Sequence, residues 1–112
     1  MRPVVGVVNT GSAAIGQGCL HLLFSHDTDT VRACVSHCQP GDSVVLLHTA
    51  VLLLLEREWI KAFVTGISAY VLRSDVVAQG LSELPGNSDY SLISDSGWVE
   101  LVMRYPHCLS WK

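Results

Sequence analysis

The chain has 112 residues, which suits one domain, because a chain of this length can bury a core but rarely forms two. Its formal net charge is -3 and its pI is near 5.9, so it has no strong positive field with which to bind a nucleic-acid backbone directly. Hydrophobic residues make up 49% of the chain and charged residues only 15%, which indicates that some apolar surface is shared with another polypeptide.

The cysteines and the apolar runs indicate the cellular compartment of the protein. The four cysteines show no regular spacing and no secretory signal is recognised before them, so reduced thiols are expected. The longest apolar run, 51–55, is too short to cross a bilayer. We therefore predict a cytoplasmic protein without a membrane span.

The first elements are a strand and an amphipathic helix. Residues 1–18 end in a run of small residues, which predicts a flexible N-terminal extension to a single domain over 19–112. The short apolar run 19–24 predicts a buried first strand. A helix should follow, with Asp29 at its N-terminus. Apolar residues recur there at the i, i+3, i+4, i+7 spacing of one helix face: Val31, Cys34, Val35 and Cys38.

A second strand and a leucine-rich helix come next. The β-branched apolar run 43–47 is typical of a central parallel strand. Thr49 is predicted to cap a helix that continues to Trp59 and whose first half is apolar around nearly its whole circumference. Because the sheet covers only one side of such a helix, a neighbouring subunit is expected to cover the other side.

The alternation of strand and helix then continues. Residues 68–72 predict a third strand, followed by a short helix with Ser74 as N-cap and Gly80 at its C-terminus. A turn at 85–87 leads to a fourth strand at 90–93.

The last segments predict one more helix and one more strand. Ser94 or Asp95 can cap a helix that Pro106 stops, and residues 108–111 fit a fifth strand at the edge of the sheet. The fold class predicted from this alternation is α/β: a three-layer, mostly parallel sheet of about five strands with helices on both faces.

Several segments, in this order and spacing, carry a resemblance to a known family. They are Leu20-His21, Gly41-Asp42-Ser43-Val44-Val45-Leu46-Leu47, Tyr70-Val71-Leu72 with Asp75 and Gly80-Leu81, Trp98-Val99-Glu100-Leu101, and Ser110-Trp111. Over roughly residues 20–112 the chain resembles the DsrH/TusB family of DsrE/DsrF/DsrH-like sulfur-relay subunits. It departs from the family's pattern at residues 48–50 and at Gln79.

The resemblance implies an assembly. It implies that the chain joins DsrE/TusD-like and DsrF/TusC-like sister subunits in a heterohexamer and meets a DsrC/TusE-like sulfur acceptor indirectly. Such complexes pass persulfide sulfur between cysteines, toward 2-thiolation of the wobble uridine of certain tRNAs or within sulfur oxidation. In the catalytic sister subunits a cysteine follows the third strand, where this chain has Leu72. The resemblance therefore implies a mainly structural role for this chain.

Two cysteines are candidates for sulfur chemistry. Cys34 is the candidate catalytic residue, because it matches a first-helix cysteine of some DsrH-like members, and a sulfur relay needs an accessible thiolate. Since Cys34 and Cys38 share the apolar stripe, both can also be packing residues. Cys108 is a further candidate, because its neighbour His107 could favour the thiolate if the two side chains meet in space.

The histidines allow fewer site hypotheses. Cys34, His37 and Cys38 could suggest metal ligands, but helical spacing turns His37 about a hundred degrees away from Cys38, so no metal is predicted. No glycine-rich phosphate loop follows the first strand, so no cofactor is predicted. His48 lies where ligands gather in open α/β folds, and is either a site residue or a helix-entry residue. His21 is expected to be packed or hydrogen-bonded.

The leading functional hypothesis is therefore a mainly structural subunit of a cytoplasmic sulfur-relay complex. One alternative is a small stand-alone sulfurtransferase that loads persulfide on Cys34 or Cys108. Another is a homo-oligomeric binding module that has kept the fold without the relay, because fold alone does not fix function.

Overall fold

A six-stranded sheet forms the centre of the protein, whose computed structural model describes residues 4–7, 18–56, 59–63, 66–81 and 90–112. The elements in chain order are β1 (Val4–Val7), β2 (Cys19–Leu23), α1 (Thr28–His37), β3 (Ser43–Leu46), β4 (Ser68–Leu72), α2 (Arg73–Ala78), β5 (Ser91–Ile93), α3 (Asp95–Arg104) and β6 (His107–Trp111). Two 3-10 helices lie between β3 and β4, at His48–Leu55 and Trp59–Ala62. We call the first of these the leucine segment. None of the described helices is long and apolar enough to span a membrane.

The strand order is β1-β6-β2-β3-β4-β5. The five strands from β2 to β6 run parallel, and helices pack on both faces of the sheet, so the predicted α/β fold class is confirmed. The last strand was expected at the edge, which is wrong, because β1 pairs antiparallel along its outer side from Val4 opposite Ser110 to Val7 opposite His107. The sequence did not predict β1, which falls within the segment expected to be a flexible extension. Most of that segment lies outside the described residues.

Each face of the sheet has its own hydrophobic core. On one face α1, α2 and the leucine segment pack over side chains such as Leu23, Val44 and Leu46. On the other face α3 packs over Leu20 and Val45. Neighbouring residues of a strand point to opposite faces, so a continuous apolar strand such as β3 fills both cores. This explains why the run 43–47 has no polar alternation.

Helix α1 begins with an N-cap that was not predicted and with a first-turn aspartate that was. The Asp27 carboxylate accepts a hydrogen bond from the Thr30 N–H at 3.2 Å, and Asp29 lies in the first turn as expected. At the other end the chain leaves the helix at Cys38, two residues before Pro40, and adopts an extended conformation there. The last turn of α1 therefore ends at a cysteine.

The leucine segment differs from its prediction in type and length. It is a 3-10 helix that ends at Leu55, and Trp59 begins a separate short helix. Thr49 is not its cap: the Thr49 hydroxyl donates to the Phe24 carbonyl at 3.2 Å. Because residues three apart align in a 3-10 helix, Ala50 and Leu53 share its buried side.

The caps of the two remaining helices are of different kinds. Ser74 is not an N-cap, because α2 starts directly after Leu72 at the end of β4, and the Ser74 hydroxyl donates instead to Asp95 at 2.8 Å. The predicted cap of α3 is confirmed, since the Ser94 hydroxyl accepts from the Gly97 N–H at 3.1 Å. Gly80 follows α2 with a φ of 74°, which suits a glycine at a helix end. The predicted turn at 85–87 lies outside the described residues.

A buried hydroxyl pair joins α3 to the start of β3 and provides a test of this packing. Ser43 Oγ and Tyr105 Oη are 2.6 Å apart, and both residues are buried. Tyr105→Phe should lower the free energy of unfolding by about 1–3 kcal/mol, because it leaves a buried hydroxyl without its partner. Urea denaturation measures the loss. The double variant that adds Ser43→Ala should lose less than the sum of the two single variants, and strict additivity would contradict the contact.

Candidate functional site

A buried group of polar side chains lies between α1 and the sheet. We call it the polar cluster, and it consists of His21, Cys34, Cys38, Asp42 and Trp111. All five residues are less than a tenth exposed. Polar side chains this deep in a core require partners, so their hydrogen bonds define what the cluster can do.

The sheet and α1 bring these residues together from distant parts of the chain. His21 lies in β2 on the face that α1 covers, and in the parallel register Trp111 of β6 stands beside Leu23 of β2. Asp42 immediately precedes β3, and Cys34 and Cys38 lie one turn apart at the end of α1. The cluster therefore depends on the neighbouring placement of β6, β2 and β3.

Asp42 is the best-bonded residue of the cluster. Its Oδ1 accepts from the Cys19 N–H at 3.0 Å, while its Oδ2 accepts from the Gln39 N–H at 3.1 Å and lies 2.9 Å from His21 Nε2. Burial alone would raise the pKa of Asp42, but the hydrogen bonds from Cys19, His21 and Gln39 outweigh it, and the pKa lies below its usual value. Asp42 is therefore ionised.

A glycine allows this carboxylate to come so close to the backbone. Gly18 has a φ of +101°, and a Cβ built on it would lie 2.5 Å from Asp42 Oδ1. A side chain at position 18 would thus collide with the carboxylate and also strain the backbone.

The hydrogen bonds of His21 determine its protonation. The indole N–H of Trp111 donates to Nδ1 at 3.1 Å, and an indole nitrogen cannot accept, so Nδ1 has no proton. The proton lies on Nε2 and points to Asp42. Burial lowers the pKa of His21, hydrogen bonds with Cys38 and Asp42 raise it, and the net direction is upward. The indole donor opposes that rise directly, so we assign His21 the neutral Nε2–H form.

The two thiols of the cluster differ in character. The sulfurs of Cys34 and Cys38 and one ring nitrogen of His21 all lie within 4.8 Å of one another. The hydrogen bond from the Cys34 thiol lowers the pKa of Cys38 below its ordinary value, against the effect of burial. The same bond and burial raise the pKa of Cys34. The thiolate of this pair therefore forms on Cys38.

The donor set would suit a soft metal ion, but the hydrogen bonds compete with one. Two thiolates and an imidazole are ligands typical of zinc or copper(I). A metal at His21 Nδ1 would have to displace the Trp111 N–H, and a metal at Nε2 would have to displace the proton shared with Asp42. The hydrogen bonds of His21 therefore disfavour metal binding by the cluster.

The metal-ligand combination considered from the sequence does not form. His37 is exposed, its Nδ1 lies 3.1 Å from the Ala33 carbonyl, and its ring contacts Trp111 at a centroid distance of 5.0 Å. The histidine that meets Cys34 and Cys38 is His21.

The other candidate residues are not joined to the cluster. Cys108 is buried in the core of the opposite sheet face, and burial raises its pKa. His107 precedes it on a strand, so its side chain points to the other face and cannot activate the thiol. His48 is exposed, with a φ of 53°, and its backbone N–H donates to Asp75 at 2.7 Å. This is the behaviour of a helix-entry residue.

Sequence reasoning identified the cysteines but missed their partners. His21 was expected to be packed or hydrogen-bonded, which is confirmed, but its link to Cys34 and Cys38 was not predicted. Asp42 and Trp111 were not recognised as site residues. The available signal was an aspartate placed directly before a fully apolar strand, because such a carboxylate needs donors nearby.

The protonation of His21 can be tested by nitrogen NMR. At neutral pH the wild-type His21 should show the pattern of a neutral ring protonated on Nε2, because Trp111 occupies Nδ1. The exposed ring of His26 provides an internal reference for a histidine not fixed by such bonds. Detection of His21 with a proton on Nδ1 would contradict the assignment.

The charge of Asp42 predicts a pH-dependent loss of stability. Asp42→Asn should lower the free energy of unfolding at neutral pH by about 1–3 kcal/mol, because three donors lose a charged acceptor. A carboxyl with a lowered folded-state pKa stabilises the fold above its unfolded pKa of about 3.9, and this stabilisation is lost as the pH falls through the lower folded value. Denaturation curves of wild type and variant should therefore converge in acid.

The matched control for that experiment is Asp29→Asn. Asp29 is exposed and its oxygen is 3.8 Å from Arg32, so the substitution should cost no more than the ~0.3–1 kcal/mol of an exposed charge in the first turn of a helix. A constant difference between wild type and Asp42→Asn across the pH range would show that the charge is not responsible.

Comparison with known proteins identifies the family of this chain. A family model described as "DsrH like protein" matches residues 25–107. The chain is similar to a TusB protein of Pectobacterium parmentieri, with 33% identity over 98 residues that cover 82% of this chain and 99% of the relative. A TusB protein of Pectobacterium carotovorum subsp. carotovorum is 36% identical over 73 residues, or 63% of this chain and 76% of the relative. The predicted resemblance is thus confirmed, and the chain belongs to the DsrH family of sulfur-relay subunits.

Proposed function

We propose that this chain is a mainly structural subunit of a cytoplasmic complex that passes persulfide sulfur between cysteines. In this proposal it assembles with DsrE/TusD-like and DsrF/TusC-like sister subunits in a heterohexamer. The complex passes sulfur to a DsrC/TusE-like acceptor, toward tRNA wobble-uridine thiolation or within sulfur oxidation. Membership of the DsrH family supports the sulfur-relay part of the proposal. The apolar surface of this chain supports the assembly, and the placement of its thiols supports the structural role.

The observation that carries the assembly is the uncovered side of the leucine segment. Val51 and Leu53 are buried in the core, Leu52 and Leu54 pack against that core but remain partly exposed, and Leu55 is 60% exposed. Burying a leucine side chain contributes about 1.5–3 kcal/mol, so a partner over this side would gain substantially. This apolar surface is not buried within the protomer, which supports a role as a contact surface for another subunit.

The placement of the thiols supports a structural role in the relay. Leu72 occupies the end of β4, where the resemblance places the sulfur-carrying cysteine of the sister subunits. Cys34 and Cys108 are both buried. The hydrogen bond to Cys38 and burial raise the pKa of Cys34, and burial and the nearby Cys19 raise the pKa of Cys108. A stand-alone sulfurtransferase that loads persulfide on either residue is therefore less well supported.

Co-expression with the two sister subunits tests the assembly. Size-exclusion chromatography with light scattering should show this chain in a complex of defined mass. A chain that stays monomeric beside both sister subunits would refute the proposal. A homo-oligomer that excludes them would favour a binding module instead.

A pair of matched variants tests which face is used. Leu55→Glu should weaken the assembly by about tenfold or more, because it places a charge in an apolar contact. Met103→Glu is the control, since Met103 is 57% exposed on α3 at the opposite face of the sheet and should have little effect. If Met103→Glu weakens the assembly and Leu55→Glu does not, the complex forms but the partner binds over α3.

A further inference from the structure

We propose that Cys34 and Cys38 form a thiol–disulfide site that reacts with small molecules containing a sulfur–sulfur bond, with Cys38 as the attacking thiol and Cys34 as the resolving thiol. The proposal does not depend on the assembly described above, so either can fail alone. It rests on the geometry of the last turn of α1 and on the bonds of the polar cluster.

The two cysteines are close enough to form a disulfide. Residues four apart in an α-helix have Cα atoms about 6 Å apart, which lies within the range of roughly 4.4–6.8 Å found for disulfides. The two sulfurs already lie within 4.8 Å of each other. In a regular helix, however, the Cβ atoms of such a pair are about 5–6 Å apart, more than the roughly 3.5–4.5 Å of a disulfide, so the last turn has to move for the bond to form.

The end of the helix supplies that movement. Cys38 has left the helical conformation, with a φ of -71° and a ψ of 138°. Its N–H is shared between the carbonyls of Cys34 and Val35, at the long distances of 3.2 and 3.3 Å. Since shared, long bonds hold a residue weakly, the last turn can open and close at a low free-energy cost.

Cys38 is the one of the pair that an outside molecule can reach first. Cys34 is completely buried, whereas Cys38 is 8% exposed and is followed by the exposed residues Gln39 and Pro40. The Cys34 thiol donates toward Cys38 and favours its thiolate, which is the form that attacks sulfur. Position and charge therefore assign the attack to Cys38 and the second step to Cys34.

The chemistry balances in two steps. The Cys38 thiolate attacks one sulfur of a disulfide R–S–S–R′, a new S–S bond forms to Cys38, and R′–S⁻ leaves with the electron pair and takes up a proton. The Cys34 thiol then loses its proton and attacks the Cys38 sulfur, and R–S⁻ leaves and is protonated. The protein pair is oxidised by two electrons and the reagent is reduced to two thiols.

A persulfide R′–S–S–H reacts in the same way. Cys38 takes its outer sulfur and R′–SH leaves, and the attack by Cys34 then releases that sulfur as hydrogen sulfide. The final product is again the Cys34–Cys38 disulfide, which carries no additional sulfur. The site thus consumes persulfide without handing it on, which distinguishes it from a relay cysteine.

The test uses the reduced, chelator-treated full chain with glutathione disulfide in one arm and glutathione persulfide in the other. Both arms should remove two free thiols per chain, with a loss of two hydrogens in the intact mass. Proteolytic mapping should connect Cys34 to Cys38. Sulfide should be released only in the persulfide arm, which separates the two sources of the reactive sulfur.

Three variants assign the roles. In Cys34→Ser the reaction should stop at a persistent adduct on Cys38, and in Cys38→Ser the loss of thiols should slow by about tenfold or more. Cys108→Ala is the matched control, because Cys108 lies on the opposite face of the sheet and its removal should leave disulfide formation unchanged. Circular dichroism of each variant checks that it is folded.

Several outcomes would overturn the proposal. One is a wild-type protein that is folded and keeps both thiols in both arms. Another is a disulfide that maps to Cys19 or Cys108. An adduct on Cys34 in the Cys38→Ser variant, formed at the wild-type rate, would reverse the assigned roles.

Discussion

The structure depends on the ionised carboxylate of Asp42, which is buried at the entrance to β3. A buried charge without donors costs several kcal/mol, so the chain around Asp42 has to supply them. The Cys19 N–H comes from the start of β2, the Gln39 N–H from the turn after α1, and the third donor from His21. Gly18 leaves the space for this approach. Through His21 the constraint extends to Trp111, so one chain of hydrogen bonds joins β3, β2, β6 and the end of α1.

The polar cluster and the expected relay position lie at different edges of the sheet. Cys38 and Asp42 come just before β3, near the edge where the parallel strands begin, whereas Leu72 ends β4 at the edge where they finish. Ligands of open α/β folds gather at the second edge. In the proposed function, the thiol pair of this chain is therefore not a displaced copy of the cysteine that the resemblance places after the third strand of the sister subunits. The pair lies in the hydrophobic core, and its neighbours in that core determine its chemistry.

Apolar runs predicted the central strands and helical periodicity predicted α1, because both patterns follow from burial. Strands β2, β3 and β4 and the apolar stripe of α1 follow from runs of residues that the sheet must cover. The caps proposed at Thr49 and Ser74 failed, because both residues stand where a strand passes directly into a helix and their hydroxyls bond to Phe24 and Asp95 instead. The position of β6 could not be predicted either, since pairing between β1 and β6 spans almost the whole chain. The cluster could not be assembled without that position, because Trp111 meets His21 only when β6 lies beside β2.

Burial affects the thiols of this chain in two different ways. Desolvation disfavours a thiolate, and Cys108, packed in an apolar core, is held protonated by it. Cys38 meets the same penalty, but the hydrogen bond from the Cys34 thiol stabilises its charge more than burial destabilises it. Hydrogen bonding rather than exposure therefore sets the chemistry of Cys38, and the helix end supplies the mobility that burial would otherwise deny. The exposure of Leu55 and the hydrogen bonding of the buried thiols therefore have separate physical causes.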